Sequence, residues 1–220
     1  MIKIKNYDKE RQKISFITDM EIDLSNAIRR SALEIPIMTI DEVEIIKNDS
    51  ALYDEIIAHR IGLIPIKTDK AIKKVKFKLK EVGPKTIYST DIKPNIGTKF
   101  KIPIVLLDKE QEIEIICNAS LGKGIEHVKY SPGLIFYKHN LDKEILDFVN
   151  VNEEGKISFD EEELKNKGLN EERIKKIKAA KEAKELEFNI ESWGQLDVKD
   201  IFLKSIDVLE DNLKELSKIK

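Results

Sequence analysis

Cysteine is nearly absent: Cys117 is the one thiol in a chain of 220 residues. That excludes an internal disulfide framework, a four-cysteine zinc site and a four-cysteine iron–sulfur cluster within the chain. A basic excess is missing too, since 41 acidic residues face 39 basic ones for a formal charge of −2. A protein whose main task is to coat nucleic acid or an anionic membrane carries a marked positive balance. No apolar run approaches the roughly 20 residues that span a bilayer, and Met1-Ile2-Lys3-Ile4-Lys5 lacks the apolar core of a signal peptide. The expectation is a cytoplasmic chain with no membrane contact. Only three histidines occur, His59, His127 and His139, none with a neighbouring His or Cys at metal-ligand spacing.

What is abundant is charge of both signs, 36% of residues against about 25% in an ordinary domain. The hydrophobic pattern beneath it predicts an α+β fold. Ile2 and Ile4 alternate with lysines, and Ile14, Phe16 and Ile17 form a short β-prone run. From Asp23, a candidate N-cap, Leu24, Ala27, Ile28, Ser31, Ala32 and Ile35 recur at helical spacing until Pro36. Ile40, Val43 and Ile45 then read as a returning strand. A second helix is expected after Asp49 or Ser50, with Leu52, Ile56, His59 and Leu63 on one stripe and Gly62 and Pro65 ending it.

Residues 74–138 read as a mainly antiparallel sheet. Val75, Phe77 and Leu79 alternate with lysine, and Phe100, Ile102, Ile104 and Leu106, then Ile113, Ile115 and Cys117, keep the same period, followed by Leu134 and Phe136. Residues 141–187 turn highly charged, with i,i+4 pairs such as Glu171/Lys175 and Lys178/Glu182 on an expected exposed helix. After a short strand at Leu186, Phe188 and Ile190, a helix is predicted over Val198–Leu216. Phe202, Ile206, Leu209, Leu213 and Leu216 form its main stripe, and Val198, Ile201 and Val208 widen it. A helix resting on one sheet needs one stripe, so the broad face implies a second surface, in this chain or in a partner.

No active site announces itself. Cys117 sits in strand alternation and reads as a small buried hydrophobe. Gly122-Lys123-Gly124 begins like a dinucleotide fingerprint but lacks the third glycine and the helix, because Ser131-Pro132-Gly133 follows. A stand-alone enzyme would have to work with Cys117, His127 and Glu126. A nucleic-acid-binding module is disfavoured by the charge balance.

Three segments resemble the D subunit of archaeal RNA polymerase and, less closely, its eukaryotic counterpart and the N-terminal domain of the bacterial α subunit. The stretch from Asp23 to Pro36 carries Asn26-Ala27-Ile28-Arg29-Arg30, similar to the core of the family's first helix. Asp54-Glu55-Ile56-Ile57-Ala58-His59-Arg60-Ile61-Gly62-Leu63-Ile64-Pro65 is similar to the family's most specific signature. Gly122-Lys123-Gly124-Ile125-Glu126-His127-Val128-Lys129-Tyr130-Ser131-Pro132 resembles its glycine turn.

The resemblance implies a discontinuous dimerisation domain, residues 1–48 with 186–220, of short sheet plus two helices. It encloses an inserted, mainly antiparallel β domain with a helical segment, residues 49–185. It further implies a non-catalytic subunit of a DNA-directed RNA polymerase, a nucleotidyltransferase of transcription. The chain would pair with subunit L through Leu24, Ile28, Arg30, Ala32, Phe202, Ile206, Leu209, Leu213 and Leu216. Burial of some five extra aliphatics at roughly 1.5–3 kcal/mol each gives on the order of 10 kcal/mol before ordering costs. The pair would recruit the small zinc-binding subunits N and P and dock the two large subunits, which hold the magnesium, and DNA would be met only through the assembled complex. Arg30 is the candidate contact to the second-largest subunit, the alternative being a local ion pair with Glu34. Asp54, Glu55, His59, Arg60, Gly62, His127, Lys129, Ser131 and Pro132 are expected to hold the fold or dock partners. Many D subunits carry a ferredoxin-like insertion near residues 141–187 whose cysteines hold a cluster; with no cysteine there, this chain is expected to bind neither iron nor structural zinc.

Overall fold

A computed structural model describes residues 1–68, 74–98, 100–141, 148–152, 156–160, 164, 169–179 and 185–219. Its elements in chain order are β1 (Ile2–Asp8), β2 (Lys13–Thr18), α1 (Ile22–Ser31), β3 (Ile37–Asn48), α2 (Asp54–Gly62), β4 (Lys74–Val82), β5 (Lys85–Tyr88), β6 (Pro103–Leu107), β7 (Glu112–Gly122), β8 (Gly133–His139), β9 (Asn150–Val151), β10 (Ile157–Ser158), α3 (Glu171–Ala179), β11 (Leu186–Ser192) and α4 (Val198–Leu216). The fold is α+β, and every described strand pair is antiparallel.

The first sheet has the order β1-β2-β11-β8. Phe16 of β2 lies opposite Phe188 of β11, which lies opposite Tyr137 of β8. Directly opposed residues share a face, so three rings line up on one side: Phe16 stacks on Phe188 at 5.4 Å and Tyr137 on Phe188 at 6.0 Å. Phe202 of α4 closes this layer edge-on, 5.1 Å from Phe16 and 5.9 Å from Phe188. Ile28, Ala32, Ile35, Val198 and Ile201 complete this core.

The second sheet, β3-β7-β4, packs with α2 and the β5–β6 pair around a larger core. β3 joins the two, with Ile37 in the first core and Met38 and Ile40 in the second. Ile113, Ile115 and Cys117 of β7 are fully buried, as their alternation requires.

Several boundaries differ from expectation for physical reasons. α1 begins one residue before Asp23, after an extended Glu21, and tightens into a 3₁₀ turn over Ala32–Glu34 before Pro36. Asp49 and Ser50 cap no helix; Asn48 organises that turn, accepting from the Ser50 N–H at 3.1 Å and donating to Asp54 Oδ1 at 2.7 Å. In α2 the buried stripe is Ile57, Ile61 and then Ile64, leaving Ile56, His59 and Leu63 outward. In β6 it is Ile104, Val105 and Leu107 that are buried, while Leu106 is exposed. Leu134 and Phe136 do not extend the second sheet, because β8 pairs with β11 of the first and turns both side chains to solvent.

Of the expected helical charge pairs, Glu171 and Lys175 lie exposed on α3, and Lys178/Glu182 falls outside the described residues. Leu164 and Ile177 are buried.

Candidate partner interface

α4 starts after an extended Asp197 and is fixed there by the Val198 N–H, which donates to Gln12 Oε1 at 3.1 Å. Its buried residues are Val198, Ile201 and Ser205, all in the first half. Beyond Ser205 no residue of the helix is buried. The helix is therefore seated in the core for its first two turns, and the remaining turns, about three, where Asn212 meets Glu34, are only partly covered. On those outer turns Ile206 and Leu209 are half-buried, while Leu213 and Leu216 are 56% and 61% exposed. Of the predicted stripe, Leu213 and Leu216 are left open by the chain's own core, while Ile206 and Leu209 pack against its margin. Phe202 stands apart, since its ring belongs to the aromatic layer.

α1 lies against α4. Leu24 is 46% exposed on it, but Ile28 and Ala32 are not available to a partner: at 4% and 1% exposure they pack in the chain's own core. Arg29 is tied back to Asn26 Oδ1 at 2.8 Å. Arg30 is exposed and has no hydrogen bond or ion pair among the described residues. The local pair with Glu34 does not form, because Glu34 accepts from Asn212 of α4 at 3.4 Å and meets Lys123 at 3.9 Å.

Glu34 marks where the motifs converge. The Ile125 N–H donates to the Leu33 carbonyl at 3.2 Å, docking the glycine turn on the end of α1. Lys129 reaches β3, donating to Asp41 Oδ1 at 2.6 Å, while Ser120 donates to Asp41 Oδ2 at 3.2 Å. The hydrogen bond from Lys129 is the main reason the Asp41 carboxyl is held below the usual carboxylate range; burial opposes it. His127 caps the short turn that follows, its Nδ1 accepting the Lys129 N–H at 3.1 Å. Ser131 Oγ donates to the Gly133 carbonyl, and the Pro132 carbonyl accepts the Trp193 N–H at 3.1 Å.

The second signature meets the third here. His59, Gly62 and Leu63 of α2 line a depression of about 180 Å³ with Ile40, Asp41, His127 and Lys129. Arg60 points elsewhere, donating to the Ile104 carbonyl and so fastening α2 to β6. Asp54 and Glu55 lie exposed in the first turn of α2, where the helix dipole favours acids. Asp41 carried no signal in the sequence; only the fold sets its carboxylate against Lys129.

Burial pushes the Cys117 thiol up to about 11, which leaves almost no thiolate at neutral pH. Glu126 folds back to accept the Lys123 N–H at 3.2 Å. Among the described residues no group of three or more His, Cys, Asp or Glu is placed to hold a metal, and no helix is long and apolar enough to cross a membrane.

Residues 16–213 match the RNA polymerase Rpb3/Rpb11 dimerisation domain. The DNA-directed RNA polymerase subunit Rpo3 of Methanocaldococcus jannaschii is 44% identical over 156 residues, covering 68% of this chain and 82% of that protein. The Rpo3 subunit of Thermococcus kodakarensis is 35% identical over 173 residues, 70% of this chain and 67% of its own. That of Archaeoglobus fulgidus aligns over 100% of this chain and 98% of itself at 28% identity. All three motifs fall within the matched residues, and the chain belongs to the Rpb3/Rpb11 dimerisation-domain family of RNA polymerase.

Proposed function

We propose that this chain is a non-catalytic assembly subunit of a DNA-directed RNA polymerase, pairing with subunit L. The pair is the platform that recruits the small zinc-binding subunits N and P and then the large subunits, where the magnesium and the nucleotidyl transfer reside. The observation that carries the reading is the outer half of α4, where Ile206 and Leu209 are only partly covered by the chain's own core and Leu213 and Leu216 are exposed. Leu24, Leu209, Leu213 and Leu216 form the pairing surface, with Ile206 at its inner margin. Arg30, exposed and unengaged among the described residues, is the contact to the second-largest subunit.

In this reading the dimerisation domain is residues 1–48 with 186–220 and the insert is 49–185, which lends β8 to the dimerisation sheet. The insertion near 141–187 works without a cluster, since the chain has no cysteine there to ligate iron. The complex is cytoplasmic.

The stripe is half-covered before any partner arrives, so the gain per side chain is about half the full 1.5–3 kcal/mol. Five such residues supply on the order of 5 kcal/mol, close to the lower bound of what association costs. A lasting pair therefore calls for apolar surface beyond the stripe.

The test is reconstitution of the polymerase with this subunit as Leu213→Glu. A buried charge without a mate costs several kcal/mol, so the variant is expected to be left out of the complex while remaining folded. Normal incorporation would contradict the reading.

A further inference from the structure

β1 exposes two large aliphatic side chains on the face where the rest of the sheet is covered. Ile4 lies directly opposite Phe16, and Ile2 opposite Thr18. Phe16 and Thr18 are 2% and 1% exposed, and opposed residues point the same way. Ile2 and Ile4 are nevertheless 53% and 57% exposed.

The course of α4 explains why. The helix starts at Gln12 and passes Phe16 at Phe202, so it runs alongside β2 in the strand's own direction. Its flank toward β1 is marked by Lys199, whose ammonium sits 4.5 Å from the centre of the Tyr7 ring. Leu203, one turn on from Lys199, lies on that same flank and is 58% exposed. Tyr7 lies opposite Ile14 and Ile4 opposite Phe16, so one turn along the helix corresponds to the step from Tyr7 toward Ile4. The Lys199–Tyr7 contact joins α4 and β1 at one end of the strip between them, and the exposed Ile2, Ile4 and Leu203 lie beyond it.

We infer that the trough formed by Ile2, Ile4 and Leu203 is part of the pairing surface, filled by an apolar helix of the partner that also covers the outer turns of α4. This rests on the pairing proposed above and extends it from α4 to the edge strand. Continuity selects the occupant, because Leu203 adjoins Ile206, the inner margin of the stripe, three residues on along the same helix. The shortfall in buried surface on the stripe alone points the same way. The opposite face of β1 is different in kind: Lys5 donates to Glu187 at 2.9 Å there, and Lys3 lies on that side opposite Ile17.

The experiment is hydrogen–deuterium exchange on the full chain alone and in complex with subunit L, together with titration of Ile4→Asp, Leu203→Asp and, on the far face, Lys3→Asp. Protection of residues 2–7 that is greater in the complex than in the free chain, where pairing with β2 already slows part of the strand, is expected. So is a tenfold or greater loss of affinity for each of the first two variants, with less than twofold for the third. Exchange needs no substitution, so it decides the matter even if a variant misfolds. A complex that forms while residues 2–7 gain no protection and Ile4→Asp binds normally would overturn the inference and leave the pairing intact. Protection already present in the free chain through self-association would assign the trough to a second copy and also overturn it. Failure of the unaltered chain to bind the partner would overturn the pairing, and the trough with it.

Discussion

At Gly133 an added Cβ would collide with the carbonyl of Glu191 across the β8–β11 pair, and at Gly122 it would come within 2.5 Å of the Tyr130 ring. At Gly62 the nearest atom would be 3.7 Å away. Gly133→Ala is therefore expected to cost about 2 kcal/mol or more. Gly62→Ala, at the end of a helix, is expected to be neutral or to stabilise by up to about 1 kcal/mol. Urea unfolding of the two variants checks both signs. The sequence marks all three glycines alike as turn or signature residues, because spacing carries no information on what packs against a missing side chain.

Acid sensitivity belongs to this scale as well. Hydrogen bonds from Lys78 and then Lys80 draw the Glu114 carboxyl down to about 2, from an unfolded value of about 4.3. The folded state thus favours the ionised form. Its contribution is complete above about pH 4.3 and is lost as the pH falls through about 2. Glu114→Gln is expected to flatten the loss of stability between about pH 4 and pH 2 while changing little at pH 7, which thermal unfolding across that range would register. A parallel curve for the variant would contradict the assignment.

Among the elements, α2 and α4 show what periodicity reads and what it leaves open. Both are apolar on more than one side, so the period identifies a helix without saying which stripe turns inward. In α2 the expected stripe of Ile56, His59 and Leu63 faces out, because Ile57, Ile61 and Ile64 offer an equally good apolar face to the second core. In α4 the length, the limits and the main stripe were all legible, whereas the division between a seated half and an outer half is set by where the chain's own core ends.

That division yields a contrast. Leu213→Glu is expected to leave thermal stability of the isolated chain within about 0.5 kcal/mol, since exposed positions tolerate charge. Ile201→Ala, at a fully buried position, is expected to cost about 2–5 kcal/mol. Phe202→Asp would damage folding as well as pairing, since its ring closes the aromatic layer. Equal losses for Leu213→Glu and Ile201→Ala would contradict that division.

For the whole molecule, the α+β class and the pairing of N- and C-terminal segments were legible in local patterns and in three motifs. The partnership of β8 with β11 was not, because an alternating strand between two turns can join either sheet and only the long-range pairing decides. The clasp of Asp41 and Lys129, 88 residues apart, was hidden for the same reason. Such contacts bring α2 and the glycine turn together against β3, and the outer turns of α4 stay exposed.

In the proposed function this exposed face of α4 holds a second subunit. The most direct measurement is co-expression with subunit L of the same genome, followed by size-exclusion chromatography with mass determination by light scattering. The account predicts one species of 1:1 stoichiometry whose mass is the sum of this 25.4 kDa chain and its partner, persisting at sub-micromolar concentration. Two separate monomeric peaks, with no complex at any concentration tested, would contradict it.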